Sequence, residues 1–233
     1  MFARFTFLLV IVFLGFGFRL SAAQSVTPTR LQLDLATSPQ AILTVSSTKP
    51  VDVALEFSID TYSVANEAHE SRESPLEILP PQVLLRPGET RQVLLRWRGG
   101  RQLSRSESYY LAIDELPLAV DGAESAAEIQ LLTSLRLPVH VQVDGKAELG
   151  FFPPNIDGSA SLELRNTGKQ YALLSNYEIG VESDGKRLVF DGLAIARLLN
   201  RDAILPGQMV SVPLRLIGLE AAGLQGARLV RKE

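Results

Sequence analysis

The sequence predicts an all-β protein of two sandwich domains, and three observations support that prediction. Apolar and polar residues alternate over many short segments, which is the pattern of strands with one buried face. Proline–glycine and aspartate–glycine pairs separate those segments in the manner of turns. The 233 residues also suffice for two domains of about 100 residues each. Core burial in two sandwiches is therefore expected to stabilise the chain.

The first 23 residues are predicted to be a secretory signal peptide. Arg4 precedes an almost purely apolar run at residues 5–18, and residues 21–23 offer small side chains for cleavage. That run is shorter than the roughly 20 apolar residues that cross a bilayer. We therefore expect an exported protein, cleaved near Ala23, with no membrane insertion afterwards.

The first domain is predicted over residues 24–143, with about seven strands. The alternating segments are residues 30–35, 41–45, 51–59, 82–85, 92–97, 108–113 and 129–141. Pro87 and Gly88 predict a turn, because proline presets φ and glycine tolerates a positive φ. Residues 63–77 predict a polar loop. Seven short strands in roughly 120 residues are typical of an immunoglobulin-like sandwich.

A smaller β-sandwich is predicted over residues 144–233, with the hinge at residues 144–150. Its alternating segments are residues 161–165, 171–174, 175–181, 188–190 and 210–216. Pro206 and Gly207 repeat the turn device of the first domain, and residues 193–199 are the one candidate for a helical turn. The last strands of this domain are the least clearly patterned.

The segment 129–141 is the longest strand pattern in the chain. Its apolar residues share one parity, with only Thr133 interrupting: Ile129, Leu131, Leu135, Leu137, Val139 and Val141. Most strands run about five or six residues. A strand this long either crosses its own sandwich as a core strand or has apolar length to give to another chain. The pattern alone leaves both possibilities open.

Composition and motifs argue against several function classes. The chain has no cysteine, two histidines and a formal net charge of −3, which excludes disulfides and thiol catalysis and gives no electrostatic reason to bind nucleic acid. Because phosphate loops, nucleophile elbows and zinc helices are also missing from the sequence, no enzyme, cofactor or metal site is expected. Asp114 and Glu115 are adjacent carboxylates at a strand end and are predicted to be solvated, and His140, on the polar side of its strand, is predicted to be solvated or hydrogen-bonded.

Five segments in register resemble the PapD-like periplasmic chaperones of the chaperone–usher pilus pathway. They are residues 28–31, 79–81 with 85–88, 106–111, 115–117 and 129–141, and the second domain matches more loosely at residues 164–168. The resemblance implies two immunoglobulin-like sandwiches in an L-shaped (boomerang) arrangement and a periplasmic location. It also implies pilin or fimbrial subunits and an outer-membrane usher as partners.

The same resemblance assigns roles to named residues. A pilin subunit lacks its last strand, and the chaperone lends it one through Ala127, Ile129 and Leu131, with Thr133 as a weaker fourth contact. Two cations hold the C-terminal carboxylate of the subunit, and their positions here are Arg30 and Arg136, the latter replacing the usual lysine.

One departure from the family concerns an ion pair. The arginine that usually follows the Pro-Gly turn is Leu94 here, so the resemblance suggests Arg96 and Glu107 as a possible interdomain or structural pair. A free chaperone of this kind has an exposed strand of its own, which makes a self-capping dimer possible.

Two other classes compete with this interpretation. An exported binding module for a cell-surface polymer needs exposed aromatic residues as a stacking platform, yet Trp97 is the only tryptophan. A structural pilus subunit needs a donor segment at its mature N-terminus, and residues 24–29 are short and interrupted by Pro28.

Overall fold

The computed structural model describes residues 24–61, 74–100, 102–118, 131–152 and 161–232. The predicted signal peptide, residues 63–73 of the predicted polar loop, and the predicted donor residues Ala127 and Ile129 lie outside these ranges. Among the described residues, no helix has the length and apolar character needed to cross a membrane.

The N-terminal sandwich consists of two sheets. One has the order β1-β3-β7-β5 and the other β2-β9-β8-β4-β6. Among the described residues, its strands are β1 (Gln24–Thr27), β2 (Leu31–Asp34), β3 (Gln40–Ser47), β4 (Val53–Thr61), β5 (Leu76–Leu79), β6 (Gln82–Leu85), β7 (Thr90–Trp97), β8 (Glu107–Leu116) and β9 (Ser134–Gln142). All neighbours are antiparallel except β2 and β9, which run parallel with Leu31 opposite Val139.

Alternation creates the N-terminal core. The inward positions of both sheets form one cluster, and its members include Leu33, Leu43, Leu55, Leu95 and Val139, each 2% exposed or less. Neighbouring positions on the same strands point outward, because successive side chains of a strand alternate between its two faces. The period-2 pattern in the sequence therefore predicted the long core strands correctly.

The C-terminal sandwich encloses a second, separate cluster. Its sheets have the orders β10-β11-β16 and β14-β13-β17, with a short β12-β15 ladder beside them. The elements are β10 (Leu149–Phe152), β11 (Ser161–Asn166), β12 (Ala172–Leu173), β13 (Tyr177–Ser183), β14 (Lys186–Asp191), α1 (Gly192–Leu198), β15 (Ala203–Ile204), β16 (Met209–Pro213) and β17 (Leu224–Arg231). Three 3-10 turns, at Leu174–Asn176, Leu214–Ile217 and Ala221–Gly223, connect them.

Both predicted proline–glycine turns are confirmed. Gly88 has φ of 77° and Gly207 has φ of 79°, a left-handed conformation that an L side chain rarely adopts. Each glycine stands just before a strand, β7 and β16 respectively. The predicted helical turn is confirmed as α1, whose first turn is capped by the Asp191 side chain.

Several predicted elements differ from the structure. The prediction of a polar loop was wrong at residues 76 and 77, which belong to β5. This strand pairs with β7, and Leu76 and Ile78 pack in or against the N-terminal core. The strand predicted at residues 129–141 is assigned only from Ser134 onward among the described residues. The segment 210–216 stops at Pro213 and becomes a 3-10 turn. Strands β1, β10, β15 and β17 were not predicted.

Candidate functional site

The apolar parity of β9 passes from core to solvent toward Leu131, which lies just before the strand begins. Val139 and Val141 are fully buried and Leu137 is 8% exposed, whereas Leu131, on the same parity, is 84% exposed. Leu135 and Thr133 lie between these extremes. A leucine this exposed, continuing the line of a buried face, is an unusual feature of a folded surface. Leu131 is thus accessible to another chain.

The two candidate arginines lie on the opposite face of the same sheet. Leu31 and Leu33 of β2 point into the core, so Gln32 points outward, and the parallel register places Gln32 opposite His140. Arg136 shares the parity of His140, and Arg30 precedes Gln32 by two residues. From this register the Cα atoms of Arg30 and Arg136 are about 8 Å apart, since two residues span about 6.6 Å and neighbouring strands about 4.8 Å.

Electrostatics supports that placement of Arg30. Burial and, to a smaller extent, the positive charge of Arg30 together lower the pKa of His140 to about 4. Both arginines are exposed. Two long cationic side chains at this spacing are able to reach one carboxylate from either side, which is the geometry of a forked anion site.

Arg136 already has one acidic partner. Its Nη1 atom donates to Oδ2 of Asp60, across the intervening strand β8, where the small Ala112 lies directly opposite Arg136. Arg30 has no ion-pair partner among the described residues. From β9, Arg136 therefore reaches toward β4, whereas Arg30 precedes β2 at the other edge of this sheet.

The face that carries the arginines also carries the contact between the two sandwiches. The His140 ring stacks on Tyr171 of the C-terminal sandwich, with ring centroids 3.9 Å apart and an angle of 19° between the planes. Gln32 Nε2 donates to the Tyr171 hydroxyl, and Ser108 Oγ lies 2.8 Å from His140 Nδ1. Arg30 comes two residues before Gln32 of this contact, and Arg136 lies four residues before His140 on β9.

Of the two states predicted for His140, solvated or hydrogen-bonded, the structure shows the second. The imidazole is hydrogen-bonded, but it is 1% exposed rather than solvated. Its polar parity points away from the N-terminal core, and the C-terminal sandwich covers that face. A single-strand pattern cannot show a cover that another domain supplies.

Arg96 and Glu107 do not pair, which corrects the sequence expectation. Arg96 Nη2 lies 2.5 Å from Glu77 Oε2, because the β5–β7 register places those residues directly opposite each other. Glu107 lies on β8 in the other sheet and accepts a hydrogen bond of 2.5 Å from the Tyr109 hydroxyl. The contact between sandwiches uses the His140 stack instead.

Glu115 is also not the solvated carboxylate that the sequence predicted. Its side chain is 7% exposed, and Lys49 Nζ lies 2.6 and 2.8 Å from its two oxygens. Gln24 Nε2 and the Thr133 amide donate to Oε2 at 2.9 and 3.1 Å. Burial alone raises the pKa of the Glu115 carboxyl, but the hydrogen bonds from Lys49 and Thr133 outweigh it and hold the pKa below its usual value. No sequence signal beyond the Glu-Leu-Pro motif marked this residue.

The aromatic residues do not form an exposed platform in the described part of the chain. Trp97 is 7% exposed, donates to the Gly100 carbonyl at 3.0 Å and packs against Tyr109 at a centroid distance of 6.4 Å. No group of three or more metal-ligating side chains occurs among the described residues.

Comparison with known proteins gives one family match and many structural matches. A family model described as the PapD N-terminal domain of pili and flagellar-assembly chaperones matches residues 23–144, just over half of the chain. A search of curated protein sequences finds no match.

Three solved structures illustrate the structural likeness. A complex of the Salmonella enterica SafA pilin with the SafB chaperone contains a chain that is 15% identical, with a TM-score of 0.58, covering 90% of this chain and 96% of that one. A chaperone–tip adhesion subunit pre-assembly complex of Csu pili from Acinetobacter baumannii gives 15% identity, a TM-score of 0.54 and coverage of 82% and 89%. The CupB2 chaperone of Pseudomonas aeruginosa gives 13% identity, a TM-score of 0.51 and coverage of 80% and 87%. At these identities the likeness concerns the fold, and it confirms the predicted pair of immunoglobulin-like sandwiches.

Proposed function

The chain belongs to the family of pili and flagellar-assembly chaperones with a PapD N-terminal domain, and we propose that it is a periplasmic chaperone that completes pilin or fimbrial subunits by lending them a strand. In this proposal the segment 127–133 enters the groove of a subunit through Ala127, Ile129, Leu131 and, more weakly, Thr133. The observation that carries it is the 84% exposure of Leu131 on the face that is otherwise core.

Strand addition suits the chemistry of such a partner. A sandwich that lacks its last strand has an open sheet edge and an apolar groove, and both promote aggregation. An alternating strand from another chain closes the ladder with its backbone and fills the groove with its side chains. Each aliphatic side chain buried in this way contributes roughly 1.5–3 kcal/mol before ordering costs.

Arg30 and Arg136 are proposed to bind the C-terminal carboxylate of the subunit. Their estimated spacing and the lack of an ion-pair partner for Arg30 among the described residues support this role. A carboxylate held there would fix the register of the subunit chain, while Leu131 lies on the opposite face of the strand. The alternative of a polymer-binding module gains no support, since Trp97 is buried.

The periplasmic location, the outer-membrane usher and a self-capping dimer are also part of this proposal. An exported chaperone of this family would work in the periplasm and deliver its subunit to an outer-membrane usher. The exposed Leu131 would also allow a second copy of the chain to cap it as a dimer when no subunit is bound.

Co-expression with a pilin subunit that the wild-type chaperone binds tests the carboxylate anchor. Arg30→Ala or Arg136→Ala should abolish the purified complex, because each charge-assisted hydrogen bond contributes about 1.5–3 kcal/mol. Both arginines are exposed, so the free variants should keep their unfolding free energy to within about 0.5 kcal/mol. Arg91→Ala is the matched control, since Arg91 is an exposed arginine paired with Glu89 on the other sheet. Wild-type recovery of the complex with both Arg30 and Arg136 variants would reject the anchor.

A further inference from the structure

The ladder between β8 and β9 ends at Glu115 and Thr133 in an uncommon way. The register of the pair places Asp114 opposite Ser134, so Glu115 lies opposite Thr133. The Glu115 amide donates to the Thr133 carbonyl at 2.9 Å, as a ladder requires. The Thr133 amide, however, donates to the Glu115 side chain at 3.1 Å rather than to its carbonyl. A carboxylate thus replaces the backbone acceptor at the last pair.

The next positions prevent the ladder from continuing. Extending the same register places Pro117 opposite Leu131, and proline has no amide hydrogen to donate. Leu131 and Leu132 are 84% and 47% exposed. The ladder therefore ends at Thr133. Leu131 and Leu132, which precede it in the chain, are exposed and lie outside the sheet.

The carboxylate that takes the Thr133 amide is itself held in place. Lys49, which follows β3, and Gln24, at the start of β1, both bind it, and these strands belong to the other sheet. Its side chain is 7% exposed, and that of Lys49 is 21% exposed. The Glu115 carboxylate is largely buried and accepts hydrogen bonds from Gln24, Lys49 and Thr133. It is therefore much more rigid than a surface side chain. It ties both sheets together at the point where β9 emerges.

We propose that Glu115 is a positioning residue that fixes where the chaperone's own ladder ends and its lent segment begins. By capturing the Thr133 amide, it sets the direction of Leu131 relative to Arg136, five residues further on. The lent side chains and the carboxylate anchor then meet a subunit in one fixed register. This inference rests on the proposed function.

The test replaces the buried pair without leaving a lone charge. In Glu115→Leu/Lys49→Met, both charges are gone and the Thr133 amide has lost its acceptor, while apolar groups of similar volume fill the space. In the matched control Glu115→Gln/Lys49→Met, the glutamine carbonyl still accepts from Thr133. Subunit affinity should fall at least tenfold in the first variant and stay within about threefold of wild type in the second.

Two further measurements separate the possible outcomes. Leu131→Asp is measured in parallel. If it weakens binding and Glu115→Leu/Lys49→Met does not, the positioning role is wrong while strand lending stands. If neither changes affinity, strand lending itself is wrong. If the double variant fails to fold, amide hydrogen exchange of the wild-type protein still tests the inference. Because the Thr133 amide donates to Glu115, it should exchange at least tenfold more slowly than the Leu132 amide. Equal rates at both amides would overturn the inference.

Discussion

Replacing Leu131 by alanine should weaken the complex with the subunit without changing the free chaperone. The substitution removes three carbon groups, each contributing about 0.8 kcal/mol when buried. Because the side chain is 84% exposed in the free protein, nearly all of that contribution is available on binding. The expected loss is about 2 kcal/mol, or roughly 30-fold in the dissociation constant.

Leu132 supplies the matched control for this experiment. It is 47% exposed, adjacent in sequence and of opposite parity, so it points away from the lent face. Leu132→Ala should change affinity less than about threefold. Because a free subunit would aggregate, transfer of the subunit from its complex with tagged wild-type chaperone to each untagged variant measures both affinities relative to wild type. The unfolding free energy of each free variant in urea should stay within about 0.5 kcal/mol of wild type. Equal losses from the two variants would refute the argument from parity, and a large loss of stability in Leu131→Ala would show that the side chain belongs to the chaperone's own core.

The remaining predictions concern two titratable groups on the arginine-bearing face of the sheet, His140 and Asp60. Burial, together with the charge of Arg30, lowers the pKa of His140 to about 4, below the value of about 6.5 in the unfolded chain. Between these two pH values the unfolded chain therefore binds a proton that the folded protein does not. The folded protein should lose on the order of 2–3 kcal/mol of stability as the pH falls from about 6.5 to 4. Urea unfolding across that range checks this, and His140→Gln should flatten the profile; an equally steep profile in the variant would assign the loss to other groups. Asp60→Asn should raise subunit affinity by about two- to fivefold, since the exposed pair with Arg136 is worth about 0.3–1 kcal/mol and no longer competes. The gain should be absent when the C-terminal carboxylate of the subunit is amidated, and a gain that persists there would mean that Asp60 acts elsewhere.

The sequence predicted the long core strands because burial on one face leaves a period of two. Strands β3, β4 and β7 show alternating burial over much of their eight or nine residues, whereas residues 111–113 of β8 are all buried. The inward apolar positions of these strands belong to the N-terminal cluster. Strand β17 escaped prediction because its positions are mostly half-buried or exposed, so it carries no clear alternation. Strand β5 has only four residues and follows a polar stretch. Short strands owe their pairing to their neighbours more than to their own pattern.

The candidate site was predictable only in part. Parity separated the face of Leu131 from the face of Arg136, and the resemblance supplied Arg30. The ion pair between Arg136 and Asp60 joins residues 76 apart across an intervening strand, and no local pattern encodes such a contact. The buried state of His140 depends on Tyr171 in the other sandwich, and the stack replaces the salt bridge that Arg96 and Glu107 were expected to form.

A lent strand has to reconcile two opposing requirements, and Glu115 indicates how this chain meets them. The strand must stay exposed enough to enter another fold, yet a long exposed apolar edge invites aggregation. A ladder that continued past Thr133 would hide Leu131 against the chaperone itself, whereas a ladder that ended earlier would uncover Leu135 and weaken the core. In our proposal, Glu115 and Pro117 make the β8–β9 ladder end at Thr133, so that Leu131 stays exposed and Leu135 stays covered. A variant that moves this end of the ladder in either direction should therefore lose subunit affinity, and only the variant that ends the ladder earlier should also lose stability.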